Sequence, residues 1–234
     1  MPKLISPGEK YDLFNANPVS EIVNDYKEEL VGKDTTEQID DKIIRNHHEI
    51  VVVHKHNEET GKEEIAEAVR GNANSVSLTD QARENIEGAT VTFSHPQAME
   101  GGRSGTFCFS EIQTLLLNPK EIRTVSAEGV YTMSPDKNAD VQGFLEFSWT
   151  QKEQIESELE AIHQKCKRKM QRGEYPSMRA FERDNENKQF EYVHEYYKKN
   201  TPNFGIDYSF KEDKNFRPMD PQRNVKTLKR DVEY

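Results

Sequence analysis

The chain has only two cysteines, Cys108 and Cys166, among its 234 residues, which is too few for a disulfide framework or a cysteine-rich zinc site. It also has no long apolar run. The longest, such as IVVV at 50–53 and TLLL at 114–117, are far too short to cross a bilayer. The opening residues, MPKLISPGEKYDLF, contain no apolar signal core. These absences predict a soluble intracellular protein that does not enter a membrane.

Positive charge is scarce in the front part of the chain. Residues 1–150 carry 14 Lys and Arg against 26 Asp and Glu, a net charge of −12, whereas residues 151–234 carry a net charge of +2. Because phosphate is repelled by an acidic surface, we expect no nucleic acid to bind through the N-terminal half. The change of charge near residue 150 also predicts a domain boundary there.

Apolar periodicity and turn residues predict the order helix, β-hairpin, helix, strand, loop, helix, hairpin and then further helices. The first hairpin is predicted at about 49–56 and 64–70, and the single strand at 89–95. A further strand is predicted in DVQGFLEFSWT, residues 140–150. This order indicates an α+β fold with a mixed or antiparallel sheet flanked by helices.

We predict four segments along the chain. Residues 1–43 form an N-terminal helical arm, residues 44–150 the α+β domain, and residues 151–200 a helical extension with one narrow apolar stripe. Residues 201–234 lose this pattern and keep only isolated aromatic residues. They are predicted to form an extended tail that docks by its aromatics or is disordered alone, and that contributes little to the stability of the domain.

The most informative stretch is ATVTFSHPQAMEGGRSGTFCFSEI, residues 89–112. It indicates a strand, His-Pro, a glycine-rich loop and the start of a helix that carries a carboxylate. Together with Glu49 at the start of an upstream strand, it resembles the JAB/MPN (JAMM) metalloprotease-like family, in particular its RadC-like and phage-associated branches. The family pattern is an upstream Glu followed by H-x-H-P-x6-S-x-x-D. The resemblance covers roughly residues 44–135, less than half of the chain.

The resemblance implies a role for each matching position. In the family, two His and one Asp hold zinc, the Glu is the general base and the Ser helps to orient the oxyanion. Here Glu49 and Cys108 stand at the catalytic Glu and Ser positions, and His95 and Glu111 at the second His and the Asp positions, with an insertion in the loop. Phe93 stands where the family has its first His.

The departures from the family pattern affect the metal. A catalytic zinc needs about three protein ligands and one open position. Phe93 removes one ligand, and only His95 and Glu111 are left unless Cys108 or a histidine of HHEIVVVHKH, residues 47–56, completes the site. We therefore predict no cofactor or a weakly bound zinc. The favoured function is a non-catalytic interaction or structural protein, and the alternative is a zinc-dependent peptidase or isopeptidase with an atypical metal site.

The phage-associated relatives also imply partners and a location, because they are often encoded beside head or minor capsid genes. We expect a virion-associated or accessory protein of a phage, with protein partners such as other virion or assembly proteins. It is predicted to lie in the cytoplasm of the host cell or in the virion.

Overall fold

The computed structural model describes residues 30, 39–40, 43, 48–57, 59–71, 76–95, 106–126 and 128–213. In chain order the elements are β1 (Ile50–Asn57), β2 (Lys62–Arg70), α1 (Asp80–Glu84), β3 (Thr90–Ser94), α2 (Phe109–Gln113), a 3-10 turn (Thr114–Leu117), β4 (Glu121–Ser126), β5 (Gly129–Pro135), α3 (Val141–Thr150), α4 (Lys152–Gln171), α5 (Met178–Asn200), a second 3-10 turn (Thr201–Phe204) and β6 (Ile206–Glu212).

The six strands form one sheet in the order β2-β1-β3-β4-β5-β6. Strands β3 and β4 run parallel, and all other neighbours run antiparallel. Every residue of β3 is buried, as expected for a central strand that is covered on both faces. The predicted α+β class with a mixed sheet and helices is confirmed.

Side chains of β1 alternate between two hydrophobic clusters, as the two faces of a strand require. Val51 and Val53 belong to the larger cluster, which contains residues of α2, α3 and α5. Ile50 and Val52 belong to the smaller cluster on the other face. The larger cluster includes Val91, Phe93, Phe107, Ile112, Leu115, Tyr131, Phe144, Phe190, Tyr197, Ile206 and Tyr208. Residues of α5 and β6 therefore share a core with the predicted domain at 44–150.

The predicted strand at 140–150 is wrong, because residues 141–150 form the helix α3. The Asp140 carboxylate accepts a hydrogen bond of 2.8 Å from the Gly143 N–H and so caps this helix. Phe144, Leu145 and Ser148 are buried on one side of it, at the spacing of three and four residues that defines a helical face.

Within residues 201–234, which are predicted to form an extended tail that docks by its aromatics or is disordered alone, residues 206–212 form the strand β6. This strand pairs with β5 along its whole length, and Ile206 and Tyr208 are buried. Phe210 stacks on Tyr131 with a distance of 4.4 Å between ring centroids. Ile206, Tyr208 and Phe210 alternate with polar residues, so the period of two that marks a half-buried strand is present in the sequence.

The helical arm predicted at 1–43 lies outside the described residues except for residues 30, 39–40 and 43. Of these, Leu30, Ile39 and Ile43 are buried in the second cluster, on the face of the sheet opposite α2 and α5. In the described part of the chain, no helix is both long enough and apolar enough to cross a membrane.

Candidate functional site

The sheet and α2 bring together two of the residues that the sequence singles out. His95 follows the last residue of β3, and Glu111 lies in α2. The His95 Nε2 atom lies 2.9 Å from Glu111 Oε1. His95 therefore contacts one of the candidate carboxylates directly. Both side chains are largely shielded from solvent, with 14% and 7% of their side-chain surface exposed.

The second oxygen of Glu111 has a local task. Glu111 is the third residue of α2, and its Oε2 atom accepts a hydrogen bond of 2.7 Å from the backbone N–H of Cys108, which precedes the helix. A Glu at this position commonly caps a helix in this way, because the first N–H groups of a helix have no partner within it. Both carboxylate oxygens of Glu111 are thus engaged inside the protein.

Phe93, which the JAMM resemblance aligns with a histidine, is a buried core residue in the structure. Phe93 is 5% exposed. It belongs to the same core cluster as Ile112 of α2 and as Val51, the residue of β1 with which it pairs in the sheet. The intervening Ser94 accepts a hydrogen bond of 2.9 Å from the backbone N–H of Ile50. Phe93 therefore packs into the core beneath α2, the helix that His95 contacts.

His95 lies among several carboxylates, which decide its charge. Burial by itself lowers the pKa of the His95 imidazolium, but the carboxylates of Glu111, Glu49 and Glu128 oppose this and raise the pKa to about 9. His95 is consequently a cation at neutral pH and forms an ion pair with Glu111.

Glu49, which immediately precedes β1, belongs to the same charge cluster. Its pKa is raised to about 7, first by burial and then by the Glu111 carboxylate, while His95 opposes the shift. Glu49 is therefore a mixture of protonated and ionised forms at neutral pH, which is the state of a carboxyl group suited to proton transfer.

Cys108 presents a protonated thiol rather than a thiolate. Its surroundings desolvate the sulfur and the Glu111 carboxylate repels a negative charge on it, and both effects raise the pKa of the thiol. Cys108 as a residue is exposed, so we attribute the raised pKa of its thiol mainly to the nearby Glu111 carboxylate. The Cys108 Sγ atom lies 3.0 Å from Ser110 Oγ. A protonated thiol neither attacks a substrate nor ligates zinc well.

Sequence reasoning missed two residues that lie near this cluster from distant parts of the chain, Tyr197 and Glu128, and Tyr208, whose ring lies 5.7 Å from that of Tyr197. The Tyr197 hydroxyl of α5 donates to the Phe107 carbonyl oxygen at 3.3 Å, next to Cys108. Tyr208 of β6 lies 2.9 Å from His194 Nδ1 through its hydroxyl oxygen. Glu128, in the turn before β5, is fully buried and accepts a hydrogen bond of 3.1 Å from the Tyr131 hydroxyl. The period-two pattern of β6 was the one signal in the sequence that could have placed Tyr208 here.

A metal ligand set is not assembled in the described residues, where no group of three or more His, Cys, Asp and Glu side chains lies close enough to hold a metal ion. The two histidines of β1, His54 and His56, differ in burial. His54 is buried, and burial followed by the charge of Arg123 lowers its pKa to about 4, while His56 is exposed.

Comparison of the chain with protein-family models, with curated proteins and with solved structures gave no significant match. The resemblance to the JAMM family thus stays a prediction that depends on the residues quoted above.

Proposed function

We propose that this chain is a non-catalytic interaction or structural protein with a JAMM-like domain, in which the His95–Glu111 ion pair stabilises the fold. The observation that carries the proposal is the double engagement of Glu111, whose two oxygens bond to His95 Nε2 and to the Cys108 N–H. The His95 Nε2 atom can ligate a metal only if it gives up its bond to Glu111.

The residues present do not fit a catalytic zinc. Such an ion needs about three protein ligands and an open position. Phe93 packs into the core where the family has an imidazole, and His95 Nε2 is bonded to Glu111, so a metal would have to open that pair and displace a proton. A protonated Cys108 thiol supplies no better ligand at neutral pH.

The proposed partner is another protein, and the proposed setting is a phage virion or its assembly. The setting is supported by the likeness of FCFSEI, residues 107–112, to the F-S-x-x-D-I variant of phage-type relatives. The acidic composition of residues 1–150 supports a protein rather than a nucleic acid as the ligand of that part of the chain.

The substitution Phe93→His tests the proposal, with zinc binding measured by calorimetry near pH 7. Restoring the family's imidazole is expected to raise zinc affinity above that of the natural chain, because it supplies the missing ligand beside His95. Phe93→Leu is the matched control, which keeps an apolar side chain and should leave zinc binding weak. Tight zinc binding by the natural chain would overturn the proposal. If Phe93→His gives no gain in zinc affinity, the loop geometry differs from that of the family, and Glu111 does not correspond to the family's Asp.

The second candidate function, a zinc-dependent peptidase or isopeptidase, is favoured by one observation. Glu49, at the general-base position of the family, has a pKa raised to about 7 within the charge cluster of His95 and Glu111. If this candidate is correct, the natural chain should cleave protein tails when zinc is supplied, and Glu49→Gln should abolish the cleavage. Cleavage that survives Glu49→Gln would come from a contaminant and would remove the support for this candidate.

A further inference from the structure

The helix α4 contacts α5 along one side and presents the opposite side to solvent. The contact side carries the apolar stripe of the helical extension: Ile155, Leu159, Ile162, Cys166 and Met170. Its register against α5 is fixed by a hydrogen bond of 3.1 Å from Gln189 Nε2 to the Leu159 carbonyl oxygen. At 20 residues, the helix is about 30 Å long, so its exposed side is a surface of substantial length.

Charge is segregated along this exposed side in two columns. A spacing of seven residues is close to two helical turns, so residues seven apart lie on the same side of the helix. In each column the charge is acidic near the start of α4 and basic near its end. The two columns are Glu153, Glu160 and Lys167, and Glu158, Lys165 and Arg172, which directly follows α4 and pairs with Glu174; all six residues are exposed. The strip between them consists of the small or polar residues Gln154, Ser157, Ala161 and Gln164 and of Arg168.

The helix dipole accounts for only part of this pattern. A dipole favours acids in the first turn and bases in the last turn, and its effect fades beyond those turns. It therefore explains Glu153 at the start and Arg168 and Lys169 at the end. It does not explain why Glu158 and Glu160 stand in the middle of the helix, each two helical turns before a lysine, Lys165 and Lys167.

We propose that the exposed side of α4 is an interface with a second copy of this chain, arranged antiparallel about a twofold axis. Such an axis lays each column against the same column of the other copy with its direction reversed, so the acidic end meets the basic end. Glu160 then faces Lys167 of the second copy, and Glu158 faces Lys165 of the second copy. The axis then passes between Ala161 and Gln164, and the small side chain of Ala161 lets the two helices approach closely.

The chemistry of this face determines how the association behaves. The strip between the columns has no large apolar side chain, so the attraction is mainly between charges. Exposed ion pairs are individually weak and are screened by salt. The dimer is therefore reversible and is favoured by low salt. This inference goes beyond the proposed function and does not depend on it, since α4 lies outside the His95–Glu111 cluster.

Charge reversal in the full chain tests the inference, with association measured by sedimentation velocity at about 0.05 M salt, where screening is weak. Glu158→Lys/Glu160→Lys makes the charges that face each other across the axis all basic, and Lys165→Glu/Lys167→Glu makes them all acidic. Each variant alone is expected to associate at least about tenfold more weakly than the natural chain, because attraction becomes repulsion. An equimolar mixture of the two should recover association, because the basic columns of one then face the acidic columns of the other.

A matched control changes the same charge elsewhere. Glu191→Lys/Glu195→Lys on α5 also replaces two exposed glutamates by lysine and should associate like the natural chain. Circular dichroism checks that every variant is folded. A natural chain that stays monomeric at low salt would overturn the inference, and so would a mixture that fails to associate. A monomer whose α4 lysines bind a DNA oligonucleotide would show that the basic end serves phosphate instead, which also overturns it.

Discussion

Replacing Glu111 by Gln should destabilise the protein by removing the charge that His95 faces. The amide keeps the size of the side chain and can still accept one hydrogen bond, so the change isolates the ion pair from the packing. The pKa of His95 is raised from 6.5 to about 9, and a change of this size corresponds to up to about 3 kcal/mol of stability. For a chain of this length, about 3 kcal/mol lowers the melting temperature by about 6–12 °C.

The pH dependence of this loss identifies its cause. A histidine whose pKa is raised by folding binds its proton more tightly in the folded state, so its stabilisation is fully present below pH 6.5 and is lost as pH rises through about 9. We expect urea unfolding to show a difference between the natural chain and Glu111→Gln of about 3 kcal/mol at pH 6.5. At pH 9 the difference should fall below about 0.5 kcal/mol.

A difference of equal size at both pH values would refute this reasoning, because it would show that the charge of His95 contributes nothing. Glu146→Gln is the matched control. Glu146 is exposed on α3, and its carboxylate accepts a hydrogen bond from Gln142. Its replacement should change the free energy of unfolding by less than about 0.5 kcal/mol at either pH.

Three further changes test the fold around the site. Ending the chain after Asn200 removes β6 and should cost at least about 5 kcal/mol in urea unfolding, because two buried side chains of that strand leave the core; an unchanged midpoint would show that β6 is dispensable. Phe210→Ala should cost about 2 kcal/mol through its lost stacking on Tyr131, and a neutral result would argue against that contact. Arg123→Met should cost about 3–5 kcal/mol by leaving the Asp40 carboxylate, 2.6 Å away, without its cation. Adding Asp40→Asn to it should recover much of this loss if the pair is formed as described.

The strands at the centre of the sheet could be predicted because their residues are both β-favouring and bounded by turns. The first hairpin is predicted at about 49–56 and 64–70, and it is found at 50–57 and 62–70. The strand predicted at 140–150 is a helix, because VQGFLEFSWT is compatible with both periods and the Asp140 cap decides the outcome locally. Residues 201–234 are predicted to form an extended tail because their composition is polar. The seven residues of β6 nevertheless alternate between apolar and polar side chains over Ile206, Tyr208 and Phe210, a pattern that overall composition does not reveal.

The candidate site could be predicted in part. The contact between His95 and Glu111 follows from a strand end that meets the start of the next helix, and the structure contains it. Other features depend on residues far away in sequence. The hydroxyl group of Tyr197 reaches the Phe107 carbonyl from 90 positions further along the chain. Glu128 looks like an ordinary turn residue until the fold buries it beneath Tyr131 and brings its charge near His95. No local pattern encodes such neighbours.

The zinc content of the purified natural chain after dialysis tests the central claim most directly. Phe93 packs into the core at the position where the JAMM resemblance predicts the first ligand, and Glu111 bonds to His95 and caps α2. Elemental analysis is therefore expected to find well under one zinc per chain. One zinc for each chain would contradict the account, because His95 Nε2 could ligate the ion only if its bond to Glu111 were opened.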